Sequence, residues 1–185
     1  MNTDRFTVKS QQAVQHAINL AKADSHQAVE SGHIIKGIIA ADENITSFLL
    51  QKLNVDQSRF TNVLDRIVNS YPKVSGGKEY FSQDSINAID KADEMTREFG
   101  DMYVSVEHLF LGILSGKDSV AKMMKDVGIT VKDTKKAIEE LRKGAKVTGQ
   151  TAEDTYDSLG RFAVNLNEMA KSGKLDPVIG RDEEI

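Results

Sequence analysis

Val29-Glu-Ser-Gly-His33-Ile-Ile-Lys-Gly37-Ile-Ile39 and Val104-Ser-Val-Glu-His108-Leu-Phe-Leu-Gly112-Ile-Leu114 are two versions of one pattern, 75 residues apart. Working outward at that spacing, Phe6 falls on Phe81, Ser10 on Ser85, Ala13 on Ala88 and Ala17 on Ala92. From Phe6 to Ile39 the register runs without a gap, and Val14/Ile89, Leu20/Met95 and Ile34/Leu109 exchange like for like. After a one-residue deletion it resumes, with Val55 on Ile129, Leu64 on Ile138 and Ile67 on Leu141. A period this long exceeds that of a stacked solenoid unit. It describes two small halves packed about a pseudo-two-fold axis.

Each half reads as four helices. The spacing of Val14, Ala17, Ile18 and Ala21 predicts a helix over about Ser10–Ala23, with Thr7 and its counterpart Ser82 placed to cap. The quoted segments follow, apolar on nearly every side, and are therefore buried helices. A glycine at the same place in both, costing roughly 1 kcal/mol against Ala, points to close helix–helix approach. Third helices are expected near Ile45–Leu53 and Val120–Val127, and fourth ones after the caps Asp56 and Thr130. Phe60, Val63, Leu64, Ile67, Val68 and Tyr71 form one core-facing stripe, which Pro72 stops. The run from Tyr71 to Glu79 reads as a flexible connector. No strand-length alternation stands out, so the expected fold is all-α. Tyr156, Leu159, Ala163, Leu166 and Ala170 mark a further helix beyond a break at 144–150.

Composition narrows the function. The chain has 185 residues, no Cys and no apolar run long enough for a membrane span. Disulfides, thiolate metal sites and cysteine nucleophiles are excluded, and no export signal opens the sequence; a cytoplasmic protein without a membrane partner is expected. The net charge of −4 is all carried by residues 150–185, which hold eight acidic and four basic groups. No basic face for phosphates is present, so nucleic acid is not expected. The basic-leaning stretch of Lys132, Lys135, Lys136, Arg142, Lys143 and Lys146 reads as a solvated helix face.

Catalytic templates fail in turn. Gly77-Lys78 precedes Glu79, and Gly173-Lys174 precedes Leu175, so neither is a phosphate-binding loop. Gly-x-Ser-x-Gly and His-Glu-x-x-His are missing. His33 and His108 are related by the duplication, and a shared metal on them would be the basis of an independent enzyme. No third ligand accompanies them symmetrically, and the reading is two structural histidines, no metal and no catalysis by this chain. Asp101 and Glu107 bracket a helix start capped by Ser105, where an acid suits the helix dipole. Their counterparts are His26 and Gly32, so the charges stand in one half only.

The pattern Val-Glu-His-Leu-Phe-Leu-Gly-Ile-Leu over 106–114, with Gly173-Lys-Leu-Asp-Pro-Val-Ile-Gly-Arg-Asp-Glu-Glu-Ile185 at the end, resembles the N-terminal region of the Clp unfoldase chaperones. Asp182-Glu-Glu and Gln150–Tyr156 are most similar to the ClpB-type protein disaggregases. The resemblance implies a Clp repeat domain over 1–145, with repeats at about 6–71 and 81–145. A linker with one helix then covers 146–174, and 175–185 begins a first AAA+ ATPase module. It implies a parent protein that binds ATP and magnesium, forms a homohexamer, works with the DnaK system and threads unfolded or aggregated polypeptide. The fragment itself would need no cofactor. Val178 and Ile179 would contact ATP only in the intact parent. Thr7, Met95, Asp101 and Glu107 match positions implicated in substrate binding, although Lys91 and His108 stand where the family often has leucine. The alternative is an adaptor- and substrate-docking domain of a ClpC- or ClpA-type unfoldase that feeds the ClpP protease.

Overall fold

The computed structural model describes residues 3–156. Its helices are α1 (Val8–Ala23), α2 (Ser31–Ala41), α3 (Glu43–Lys52), α4 (Gln57–Asn69), α5 (Gln83–Phe99), α6 (Val106–Leu114), α7 (Ser119–Asp126) and α8 (Val131–Arg142). Residues 152–156 begin another helical turn. The rest of the helix expected after Tyr156, and Val178 and Ile179, lie outside the described residues.

Local chemistry sets the helix starts. Thr7, Asp42, Asp56, Ser82, Asp118 and Thr130 each accept a hydrogen bond from the backbone N–H three residues on, a contact worth about 1 kcal/mol. The two central helices start differently. The Glu30 N–H donates to His33 Nδ1 (2.9 Å) and the Ser105 N–H donates to His108 Nδ1 (2.8 Å). The duplicated histidines are therefore structural in both halves, each accepting at a helix start.

The halves interlock reciprocally. Helix α2 packs on α1 and α6 on α5, while α2 touches α5 just as α6 touches α1. Likewise α3 meets α8 and α4 meets α7. The glycines shared by the two repeats lie at close helix crossings: a Cβ on Gly37 would stand 2.0 Å from the Ala13 carbonyl oxygen, and one on Gly112 would stand 2.1 Å from that of Ala88.

The described residues are all-α in class as expected, and two short strand pairings tie the halves together. Two-residue strands β1 (Ala28–Val29) and β2 (Tyr80–Phe81) pair in parallel, with Val29 opposite Phe81, and Phe6 bridges Val104 in the same sense. These are the same contact repeated by the duplication: the entering segment of each half pairs with the other half. Strands this short carry no alternation to read. The connector is also partly tied down, since the Val74 N–H donates to the Ser25 carbonyl (2.9 Å).

Candidate functional site

The charges present in only one half converge inside it. Arg142, on the last turn of α8, donates to Asp101 Oδ2 (2.7 Å) and to Glu107 Oε2 (3.0 Å). Asp101 Oδ2 also accepts from His108 Nε2 (2.8 Å), and Oδ1 accepts from the Val147 N–H (2.9 Å). Tyr156 Oη donates to Glu107 Oε2 (2.7 Å). Glu153 Oε2 accepts from Thr7 Oγ1 (2.7 Å) and from the Val106 N–H (3.1 Å). Burial alone would push Asp101 up, but the His108 and Val147 hydrogen bonds and the Arg142 charge hold its carboxyl below the ordinary value.

The first half builds the matching place from uncharged groups. His26 stands for Asp101, Gly32 for Glu107 and Val68 for Arg142. Tyr71 fills the space that Gly32 leaves, its Oη 2.6 Å from where a Cβ would be. Because His33 Nδ1 accepts at the helix start, its Nε2–H donates to His26 Nδ1 (2.9 Å), and the buried His26 Nε2 has no partner among the described residues.

These groups give the domain opposing responses to pH. Burial, then the neighbouring His26, lower His33 to about 4 from 6.5. Its neutral ring supports the fold above pH 6.5. That support drains away as pH falls towards 4, by about 3 kcal/mol, because the unfolded imidazole takes up the proton first. Glu153 has the opposite sign: burial, then the Glu107 charge, raise its pKa. It favours the fold below its ordinary value, and the benefit is lost as pH rises. Glu153→Gln keeps the acceptor oxygen and removes this titration. Between pH 6.5 and 4.5 the variant's urea-derived stability is expected to fall by about 2–3 kcal/mol, and the parent's by less. Parallel curves would refute the opposing contribution of Glu153.

On the surface, a pocket of about 610 Å³ opens where the entering segments of the two halves meet. Arg5 and Phe6 line it beside their repeat counterparts Tyr80 and Phe81, and α5 supplies Ile86, Ile89, Asp90 and Asp93. Tyr80 is 56% exposed and Ile86 is 40% exposed, so the mouth is apolar and open to solvent. Arg5 is engaged: it pairs with Asp93 and donates to Thr96 Oγ1 and the Met102 carbonyl (3.3 Å each). Among the described residues no group of three or more His, Cys, Asp or Glu side chains is placed to hold a metal ion. None of their helices is long and apolar enough to cross a membrane.

The Clp repeat (R) N-terminal domain family model matches residues 5–127. The chain belongs to that family. Over its full length this Clp domain is 50% identical to the chaperone protein ClpB of Bacteroides thetaiotaomicron and 40% identical to that of Porphyromonas gingivalis. It spans only 22% and 21% of those proteins. Its fold matches the Hsp104 N-terminal domain of Candida albicans with a TM-score of 0.70 at 20% identity, covering 80% of this chain and 99% of that one. It also matches the ClpD N-terminal domain of Arabidopsis thaliana with a TM-score of 0.58 at 23% identity, covering 78% and 98%.

The residues carried over for substrate contact occupy the interior of this Clp domain. Thr7, Met95, Asp101 and Glu107 are all buried, Glu107 completely. Thr7, Asp101 and Glu107 are spent on internal hydrogen bonds, and Met95 packs in the apolar core. None of the four is presented at the surface, and each holds the segment that carries it. Arg142 likewise departs from the solvated helix face expected for it. Thr134, Ala137, Ile138, Leu141 and Arg142 form the buried stripe of α8, a helical spacing that places the arginine on the inner side. Residues 147–156, expected as linker, are part of the packed body as far as they are described: Val147, Glu153 and Tyr156 are buried. The Val8 N–H donates to the Gln150 carbonyl (2.8 Å). Lone acids in a polar tail gave no sign of this.

Proposed function

We propose that this Clp domain engages exposed apolar segments of unfolded or aggregated polypeptide, holding them for threading by AAA+ modules of a longer ClpB-type disaggregase. The observation that carries the reading is the open apolar pocket between Phe6, Phe81, Ile86 and Ile89. Unfolded chains offer apolar side chains of no fixed sequence, and such a mouth suits them. The domain acts here as a binding module without catalysis or cofactor. ATP and magnesium, the homohexamer and the DnaK system belong to the proposed parent, acting in the cytoplasm. The ClpB names of the relatives matched over the whole chain favour disaggregation over docking for ClpP.

Labelled, reduced and carboxymethylated lactalbumin, a permanently unfolded probe, tests this by fluorescence anisotropy. Binding near micromolar (about −8 kcal/mol) is expected. Ile86→Asp is expected to weaken it about tenfold, since one aliphatic contact is lost, with helicity unchanged because Ile86 is exposed. Equal affinity in the variant would remove the pocket from the site.

A further inference from the structure

We infer that the pocket takes its client as an extended strand, added by its main chain to the outer edge of β2, with a basic side chain set against Asp90. This rests on the proposed binding role and specifies how the client is held.

In the β1–β2 pair, the Tyr80 N–H donates to the Gln27 carbonyl (2.9 Å) and the Ser82 N–H to the Val29 carbonyl (3.1 Å). Successive residues of a strand turn their main-chain groups to opposite sides. Tyr80 and Ser82 therefore face β1, and the N–H and C=O of Phe81 face away from it. Neither group has an intramolecular partner among the described residues.

The duplication supplies an internal comparison. Phe6 is the counterpart of Phe81, and its pairing with Val104 runs through its neighbours: the Thr7 N–H donates to the Val104 carbonyl (3.0 Å) and the Val104 N–H to the Arg5 carbonyl (2.7 Å). The outward groups of Phe6 are closed by its own half. Its N–H donates to the Thr3 carbonyl (3.0 Å), and its carbonyl accepts from Gln11 Nε2 (3.1 Å). In the second half the position of Gln11 is taken by Ile86, which cannot donate and instead walls the pocket. One edge is capped from within, and the other is left open beside an apolar cavity. An open edge of this kind pairs with an added strand, whose alternate side chains fall into the adjoining pocket.

Charge chooses the next side chain on the same face as the inserted apolar residue. Arg5 is committed to Asp93, whereas Asp90 is exposed and in no ion pair among the described residues. The mouth keeps one negative charge, which a lysine or arginine two residues from the inserted apolar side chain, on the same face of the added strand, complements.

The probe is the acetylated, amidated peptide Thr-Val-Thr-Phe-Thr-Lys-Thr-Val-Thr, made also with each backbone nitrogen methylated in turn and with Lys replaced by Glu. Binding to the full chain is followed by amide and methyl NMR. The expected result is a downfield shift of the Phe81 amide together with shifts of the Ile86 and Ile89 methyl groups. Methylation is expected to cost about fivefold at one of two alternate positions and little at the residues between; the Lys-to-Glu peptide should bind more weakly. Shifts at Ile86 and Ile89 with no dependence on methylation would overturn the strand pairing and leave the pocket reading intact. Binding without shifts there, or no binding at millimolar peptide, would overturn both. Equal affinity of the Glu peptide would overturn the role of Asp90.

Discussion

Arg142→Met lowers the stability of the domain by about 3–5 kcal/mol, the cost expected when one partner of a buried ionic cluster is removed. The guanidinium is shared between Asp101 and Glu107 and lies 5.1 Å from the Phe99 ring centroid and 5.7 Å from that of Tyr156. Methionine fills much of the volume but leaves two buried carboxylates facing each other without a cation. Glu107→Gln added to Arg142→Met should recover part of the loss, because it removes one of the stranded charges. Urea denaturation at pH 7 reads both effects. A loss below about 1 kcal/mol for Arg142→Met would show that solvent reaches the cluster, since exposed pairs are worth no more than that. The first half accepts Val68 at the matching position because His26, Gly32 and Tyr71 bring no charge there.

Gly112→Ala is the second large effect. An added methyl would stand 2.1 Å from a backbone oxygen of α5, and no rotamer relieves a contact with main chain. Helix α6 must move away from α5, at a cost expected near the upper end of the ~1–3 kcal/mol typical of overpacking. Alanine's better helix propensity returns about 1 kcal/mol and does not reverse the sign. Gly37→Ala should behave alike, with 2.0 Å to Ala13 in place of Ala88. Gly149, with nothing within 4 Å of an added Cβ, serves as the control and should change stability by less than about 0.5 kcal/mol. Thermal melts of the three variants settle the comparison, and a neutral Gly112→Ala would refute the tight crossing.

The two kinds of site residue differ in how they could be found. Asp101, Glu107 and Thr7 are legible in the sequence because charge and hydroxyl bracket helix starts, and α1 and α6 begin after Thr7 and Ser105. The burial of Asp101 and Glu107 was not visible, because the cation that permits it lies 41 and 35 residues further on, and that of Thr7 was not, because its partner Glu153 lies 146 residues on. Arg142 sat on a helical stripe with Ala137, Ile138 and Leu141, and that spacing was the available signal; its basic neighbours Lys135, Lys136 and Lys143 masked it. The pocket left no local trace, since Arg5 and Phe6 reach Tyr80 and Phe81 only after the halves interlock.

What the sequence determined by itself is a doubled set of capped helices, with a glycine at the tight crossing in each half. Helical period, cap chemistry and internal repetition are properties of residues a few positions apart, or of one segment compared with its copy. Tertiary structure alone decided that the charged half closes inward and that the edge of Phe81 stays open while that of Phe6 is capped. Both outcomes depend on which main-chain and charged groups meet across the interlocked halves, and burial there removes the water that would otherwise satisfy them.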